Sequence, residues 1–230
     1  MPNINVLVVE DEEAIREMLV IALEQADFCV SSAGNTQRAL ALMNTHLPDL
    51  IVLDWMLPGM SGVDWAKRLR NDKEYQRIPF IMVTARKEEQ DKVLALEIGA
   101  DDFVTKPFSP RELIARIHAV LRRTKKPSKL TRIEVGCIVL DNDEHRVSVE
   151  GKELRLSPTE YLLLEFFLTH PSKVYTRTQL LDQVWGDNSF VEERTIDVHI
   201  RRLRKSLDEH GQSNLIQTVR GFGYRLSGYT

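Results

Sequence analysis

The sequence predicts two domains in tandem: a doubly wound α/β domain on a five-stranded parallel sheet, then a smaller α+β domain. Up to about residue 124, short apolar runs alternate with segments of helical periodicity, the order that builds a parallel sheet covered on both faces. Beyond residue 130, strand-like runs follow one another without helices, and three helical segments and a final strand pair come after them. A third observation locates the chemistry. Val6-Leu7-Val8-Val9 ends in Glu10-Asp11, Leu50-Ile51-Val52-Leu53 in Asp54, Phe80-Ile81-Met82-Val83 in Thr84, and Phe103-Val104-Thr105 in Lys106-Pro107. Ligands bind an open parallel sheet beyond the carboxyl ends of its strands. Four runs therefore deliver three carboxylates, a hydroxyl and an amine to one edge.

The elements follow in order. Continuous β-branched runs read as strands buried on both faces. Residues 28–32 form a weaker strand candidate. Residues 14–25 place Ile15, Met18, Leu19, Ala22 and Leu23 on one helical face. Further helices are predicted over 36–45, 62–71, 88–98 and 110–123, the last opened by a Ser109 cap and Pro110 at its first position. Lys125-Lys126-Pro127-Ser128-Lys129 is short, basic and proline-bearing, as a solvated linker is. Strands are then predicted over 133–135, 137–140, 146–149 and 153–156, with Glu150-Gly151 as a hairpin turn. Helices follow over 158–170, 177–185 and 192–207, and residues 216–226 read as a hairpin with a glycine-bearing tip. The expected division is 1–124, a linker at 125–131, and 132–230.

Composition is that of an ordinary globular protein, 43% hydrophobic and 28% charged, with a formal net charge of −3. So small a net charge neither demands nor excludes a nucleic-acid partner. Cys29 and Cys137 fall in different predicted domains, which argues against a disulfide framework and for a reducing compartment. The start lacks the basic and apolar regions of a secretory signal, and no apolar stretch approaches membrane-spanning length, so a cytoplasmic protein with no membrane partner is expected.

The acids suit a hard cation such as Mg²⁺, which takes one or two carboxylates and leaves room for phosphate and water. Asp11 and Asp54 can supply these, with Glu10 holding a metal-bound water. A carboxylate can also attack phosphorus to give an aspartyl phosphate, while Lys106 supplies compact positive charge and Thr84 a hydroxyl.

Residues 4–124 resemble the receiver domain of bacterial response regulators, a flavodoxin-like fold. The carrying residues are Glu10-Asp11, Asp54 with Met56-Leu57-Pro58-Gly59 and Ser61-Gly62, Thr84-Ala85, and Gly99-Ala100-Asp101-Asp102-Phe103 leading to Lys106-Pro107-Phe108. The resemblance implies that Asp54 is the phosphoacceptor and that Asp11, Asp54 and the Met56 carbonyl bind Mg²⁺. It also implies a cis Lys106-Pro107 bond, and Thr84 and Phe103 as a switch pair. Many relatives carry tyrosine where this chain has Phe103, so a hydrogen bond from that ring's edge is absent here. Phosphatases with an aspartyl nucleophile place a second acid two residues later; Met56 stands there, which argues against an enzyme in its own right.

In the second domain, the run from Arg194 to Lys205 is amphipathic at helical spacing: Ile196, Val198, Ile200, Leu203 and Leu207 flank one side, while Arg194, Arg201, Arg202, Arg204 and Lys205 project elsewhere. Such a helix can enter the major groove. Helix, loop, basic helix and basic hairpin together describe a winged helix-turn-helix. Residues 133–228 resemble the effector domain of the OmpR/PhoB subfamily through Leu156-Ser157-Pro158-Thr159-Glu160-Tyr161, Arg177-Thr178-Gln179-Leu180-Leu181, Val184-Trp185-Gly186 and Thr218-Val219-Arg220-Gly221-Phe222-Gly223-Tyr224-Arg225. By that resemblance Arg202 and Arg204 read bases, with Thr195 and Asp197 near base edges. Arg177, Trp185, Arg194, His199, Arg201 and Thr218 contact backbone, and Arg220 enters the minor groove. The loop from Trp185 to Glu193 faces RNA polymerase sigma factor.

The resemblance further implies a sensor histidine kinase as phosphoryl source and, on phosphorylation, a homodimer across a face with Val93, Leu96 and Ile114 at its apolar centre and Lys92, Asp102, Glu112 and Arg116 in intersubunit salt bridges. Sequence-specific binding to tandem direct repeats in double-stranded DNA, and control of phosphate-starvation genes, complete the expectation.

Overall fold

The computed structural model describes residues 4–85, 89–124, 130–186 and 193–227. The chain divides into two compact units, Met1–Leu121 and Arg122–Thr230. The predicted linker at 125–129 lies outside the described residues. Among the described residues no helix is long and apolar enough to cross a membrane.

The first unit runs β1 (Asn5–Val9), α1 (Glu13–Glu24), β2 (Cys29–Ala33), α2 (Thr36–Met43), β3 (Leu50–Asp54), α3 (Gly62–Asn71), β4 (Phe80–Thr84), α4 (Glu89–Glu97), β5 (Asp102–Thr105) and most of α5 (Pro110–Thr124), the boundary falling in its last turn. The five strands are parallel, in the order β2-β1-β3-β4-β5. Alternate side chains separate the two faces. Val6, Val8, Leu50, Val52, Ile81 and Val83 pack with Leu19 and Leu23 of α1 and with Leu113 and Ile117 of α5. Leu7, Val9, Ile51, Leu53 and Met82 pack with Met43 of α2, Trp65 of α3 and Ala95 of α4. The central strands β3 and β4 are buried along their whole length, which is why they read as unbroken apolar runs.

The chain winds from β1 out to β2, then crosses back to β3, so the loops after β1 and β3 leave the sheet in opposite directions and open a crevice between them. Register sets its contents. Val9 lies opposite Leu53, which brings Glu10 level with Asp54, and Thr84 pairs with Thr105, one residue before Lys106.

The second unit begins with an antiparallel sheet, β6 (Arg132–Val135), β7 (Ile138–Asp141), β8 (Arg146–Val149) and β9 (Lys152–Leu154). Glu150 and Gly151 both take positive φ, 51° and 77°, as a tight hairpin turn requires. β9 stops two residues short of the predicted strand end because Ser157 and Pro158 already start α6 (Pro158–Thr169), capped by a reciprocal Ser157–Glu160 pair. Next come α7 (Arg177–Leu180), a π-helical turn (Leu181–Trp185), α8 (Arg194–Asp208) and the hairpin β10 (Ile216–Val219) and β11 (Gly223–Leu226). Leu163, Phe167, Ile196, Ile200, Leu203, Trp185 and Leu226 share one core with the sheet.

Candidate functional site

The crevice above β1 and β3 gathers the predicted groups. Glu10, Asp11 and Asp54 each present a carboxylate oxygen within 4.8 Å of the others. Lys106 reaches across from the end of β5, its Nζ donating to Asp54 Oδ2 at 2.5 Å and to Glu10 Oε1 and Oε2 at 3.0 and 2.8 Å. Its backbone N–H is held by the Thr84 carbonyl at 2.7 Å, and the Lys106-Pro107 bond is cis. The Met56 N–H donates to Asp54 Oδ1 at 3.0 Å, so the carboxylate is oriented from both sides. Thr84 is fully buried and Phe103 half-buried against the α2–α4 core.

Burial pushes the Glu10 carboxyl up to about 7, against the pull of Lys106. Burial would lower the Lys106 amine, but its hydrogen bonds to Asp54 and Glu10 outweigh this and hold it above its ordinary value. Three acids around one lysine leave negative charge in excess, and the donors are all hard oxygens. This acidic cluster is the typical Mg²⁺ site of a receiver domain, and its donor set fits that ion.

Two positioning roles in this crevice are not apparent from the sequence, one at Arg16 and one at Gly62. Arg16 of α1 donates from Nη1 to the Glu10 and Asp11 carbonyls at 2.8 and 3.1 Å, tying down the loop that carries both acids. Gly62 packs α3 over the end of β3: its N–H meets the Trp55 carbonyl at 3.0 Å, and a β-carbon there would overlap the Asp54 carbonyl oxygen. Its absent side chain is a steric requirement that only three-dimensional proximity reveals.

The predicted dimer face is paired within the chain. Arg116 Nη1 meets Asp102 Oδ1 at 3.1 Å, and Nη2 meets Glu112 Oε1 at 3.0 Å. Val93 and Ile114 are half-buried, whereas Leu96 is only 3% exposed and adds almost no surface. The Lys92 side chain lies outside the described residues.

In the second unit, α8 exposes Arg194, Arg201 and Lys205, and Arg220 is exposed at the tip of the β10–β11 wing. Other predicted contacts face inward. His199 is 0% exposed, its Nδ1 3.3 Å from Glu160 Oε1, and Trp185 is 1% exposed with its ring 5.3 Å from that of His199. Neither presents surface to a DNA backbone in this conformation, and Thr195 is buried too. Arg202 also turns inward, to Glu160 at 3.0 Å. Burial would raise the Glu160 carboxyl, but the charge of Arg202 with hydrogen bonds from His199 and Ser157 overrides it and holds it at about 2.

Asp197 accepts from Arg177 Nε and from the Tyr224 hydroxyl, both at 2.7 Å. Arg204 donates to the Ile216 carbonyl and to Thr218 Oγ1, both at 2.9 Å. The guanidinium carbons of Arg177 and Arg204 stand 5.1 and 5.6 Å from the Tyr224 ring centroid, so this tyrosine joins α7, α8 and the wing. Of the loop expected to face sigma factor, residues 187–192 lie outside the described residues.

Comparison with known proteins covers both units. Residues 6–118 match the response regulator receiver domain, and residues 151–226 match the C-terminal domain of transcriptional regulatory proteins. The chain is 57% identical to the phosphate regulon transcriptional regulatory protein PhoB of Pseudomonas aeruginosa, over 96% of each sequence. It is 52% identical to the Escherichia coli K12 protein of that name, over 96% of this chain and 97% of that one. Among solved structures, a RitR mutant superposes with a TM-score of 0.83 at 29% identity, covering 99% of this chain and all of that one. DrrB of Thermotoga maritima, described as an OmpR/PhoB homolog, gives 0.52 at 29% identity, covering 98% of this chain and all of that one. With phosphoacceptor-type chemistry in one unit and a basic helix with a wing in the other, the chain belongs to the OmpR/PhoB family of response regulators: a two-component transcription factor, not an enzyme acting on an external substrate.

Proposed function

We propose that phosphorylation of Asp54 switches this chain between a weakly and a tightly DNA-binding form, and that it regulates phosphate-starvation genes. The carrying observation is the convergence of Asp54, its acidic neighbours and the Lys106 amine in one crevice. The regulon reading rests on the relatives named above. In this reading residues 1–124 are the receiver, 125–131 a linker and 132–230 the effector, and the protein works in the cytoplasm, where DNA and a sensor histidine kinase are at hand.

An Asp54 carboxylate oxygen attacks the phosphorus of a phosphohistidine or a small acyl phosphate; the new O–P bond forms as the bond to the leaving nitrogen or oxygen breaks, its electron pair departing with that atom. Lys106 transfers its hydrogen bonds from Asp54 to a phosphoryl oxygen, and Thr84 offers its hydroxyl to another, with Phe103 turning inward behind it. Mg²⁺, held by Asp11, Asp54, the Met56 carbonyl and, through water, Glu10, would neutralise phosphoryl charge. The reshaped face carrying Lys92, Val93, Leu96, Asp102, Glu112, Ile114 and Arg116 then pairs with a second copy. A differential interaction of a few kcal/mol suffices for such a shift.

The dimer places two effector domains on tandem direct repeats about one helical turn apart, ~10–11 bp, with α8 in the major groove. Arg194, Arg201, Arg177 and Thr218 serve as backbone contacts, Arg202 and Arg204 as base readers once released from their internal partners, and Arg220 enters the minor groove. The loop from Trp185 to Glu193 meets sigma factor.

The test is phosphorylation by acetyl phosphate with Mg²⁺, read by intact mass, followed by selection of DNA with and without modification. One phosphoryl group is expected, absent in Asp54→Ala, and the selected site is a direct repeat bound more tightly after modification. Phosphorylation that persists in Asp54→Ala, or an inverted repeat, overturns the corresponding half of the reading.

A further inference from the structure

We propose that Phe222 is a second DNA contact of the wing, an apolar one that packs against the deoxyribose wall of the minor groove beside Arg220. The proposal rests on the DNA-binding reading of the wing and extends it to a residue that the basic pattern does not mark. Among the described residues Phe222 is the most exposed large hydrophobic side chain, at 69%. Core packing therefore gives no account of it.

Its position is nevertheless fixed. The Phe222 N–H donates to the Val219 carbonyl at 3.0 Å, closing a turn through Arg220 and Gly221, and Gly221 takes the φ of +78° that such a turn needs. One residue on, Gly223 sits so close to Tyr175 that a β-carbon would overlap the Tyr175 carbonyl oxygen. Tyr175 and Tyr224 exchange backbone hydrogen bonds at 2.8 and 2.9 Å. The tip thus carries one cation, one bare backbone position and one ring, on a base that is pinned to the rest of the domain.

That composition suits the minor groove. Its floor carries negative potential that attracts a guanidinium, while its walls are C–H edges of sugars against which apolar side chains pack. The bare Gly221 lets the tip narrow between Arg220 and Phe222, where Gly221 has no neighbouring atom within 4 Å of the β-carbon position. The cation beside the ring, on a wing that Arg204 of the basic helix α8 joins through the Ile216 carbonyl and Thr218 Oγ1, selects DNA over a protein partner as the occupant.

The test uses the full-length protein and a duplex selected by it, trimmed to one half-site so that no second protomer is present. Phe222→Ala, Arg220→Ala and the unaltered protein are compared by fluorescence anisotropy over a range of salt. Phe222→Ala is expected to weaken binding roughly fivefold to tenfold, as partial burial of a phenyl ring predicts, with the salt slope unchanged. Arg220→Ala is expected to weaken binding and flatten the slope. If Phe222→Ala binds like the unaltered protein while Arg220→Ala is impaired, the Phe222 proposal fails and the wing's DNA contact stands. A Phe222 effect that emerges only on a two-site duplex overturns the proposal in favour of a contact between neighbouring protomers. If both variants are silent, the wing does not touch DNA and both readings of it fall.

Discussion

Arg202 holds both carboxylate oxygens of Glu160, Nη1 to Oε1 at 3.0 Å and Nη2 to Oε2 at 3.1 Å, and so ties α8 to the first turn of α6. Glu160 also accepts from the Ser157 N–H at 3.1 Å, so one buried carboxylate serves as helix cap and ion-pair partner together.

The linkage has a defined acid limit. The Glu160 carboxyl is lowered from 4.5 to about 2 in the folded chain, so its contribution to stability is complete above 4.5 and is lost as pH falls toward 2. Thermal unfolding of the full chain should show the effector transition dropping across that window. Glu160→Gln should be less stable at pH 7 and should flatten this part of the profile. An unchanged profile in Glu160→Gln would remove Glu160 from the account.

Glu10 titrates in the opposite sense. Its carboxyl is raised to about 7, so it carries a proton below that pH and must give it up to meet a cation. Mg²⁺ affinity should therefore rise with pH and level off above about 7, with proton release that Glu10→Gln abolishes. Trp55, next to Asp54, supplies a fluorescence readout. Equal affinity at pH 6 and pH 8 would contradict this.

Two neighbouring arginines of α8 should differ in kind. Arg201 is exposed, and Arg201→Ala should weaken binding to all sequences alike, reducing the salt slope by about one phosphate contact. Arg202→Ala strands the buried Glu160 carboxylate, so it should lower the unfolding temperature as well as any base-specific affinity, at a cost of about 3–5 kcal/mol in stability. Calorimetry alongside DNA titration checks both, and equal unfolding temperatures for the two variants would refute the distinction.

The receiver crevice was legible because its physics is local. Strands buried on both faces must be apolar without interruption, so the residue that ends each run marks the ligand edge, as Asp54 and Thr84 do. Helix α8 was legible on one side only. Ile196, Ile200, Leu203 and Leu207 mark its buried stripe, and His199, three residues after Ile196 and four before Leu203, falls within it, but Arg202 is drawn inward by a carboxylate 42 residues away. Periodicity within the helix carries no trace of that partner. The segment after Thr176 reads as one helix, yet its end widens into a π-helical turn in which Gly186 N–H reaches the Leu181 carbonyl at 3.1 Å. Leu180, Leu181, Val184 and Trp185 are all buried there.

Tyr224 carries a final consequence. Bonded to Asp197 and flanked by Arg177 and Arg204, it sets the separation between α8 and the wing. The domain is a caliper of fixed gape. In the proposed docking, with α8 in the major groove and the wing in the minor groove, a duplex whose grooves do not match that span would have to bend or twist to meet it, and flexible pyrimidine–purine steps do so at least cost. Base pairs lying between the two jaws would then be weighed for their pliancy without being touched.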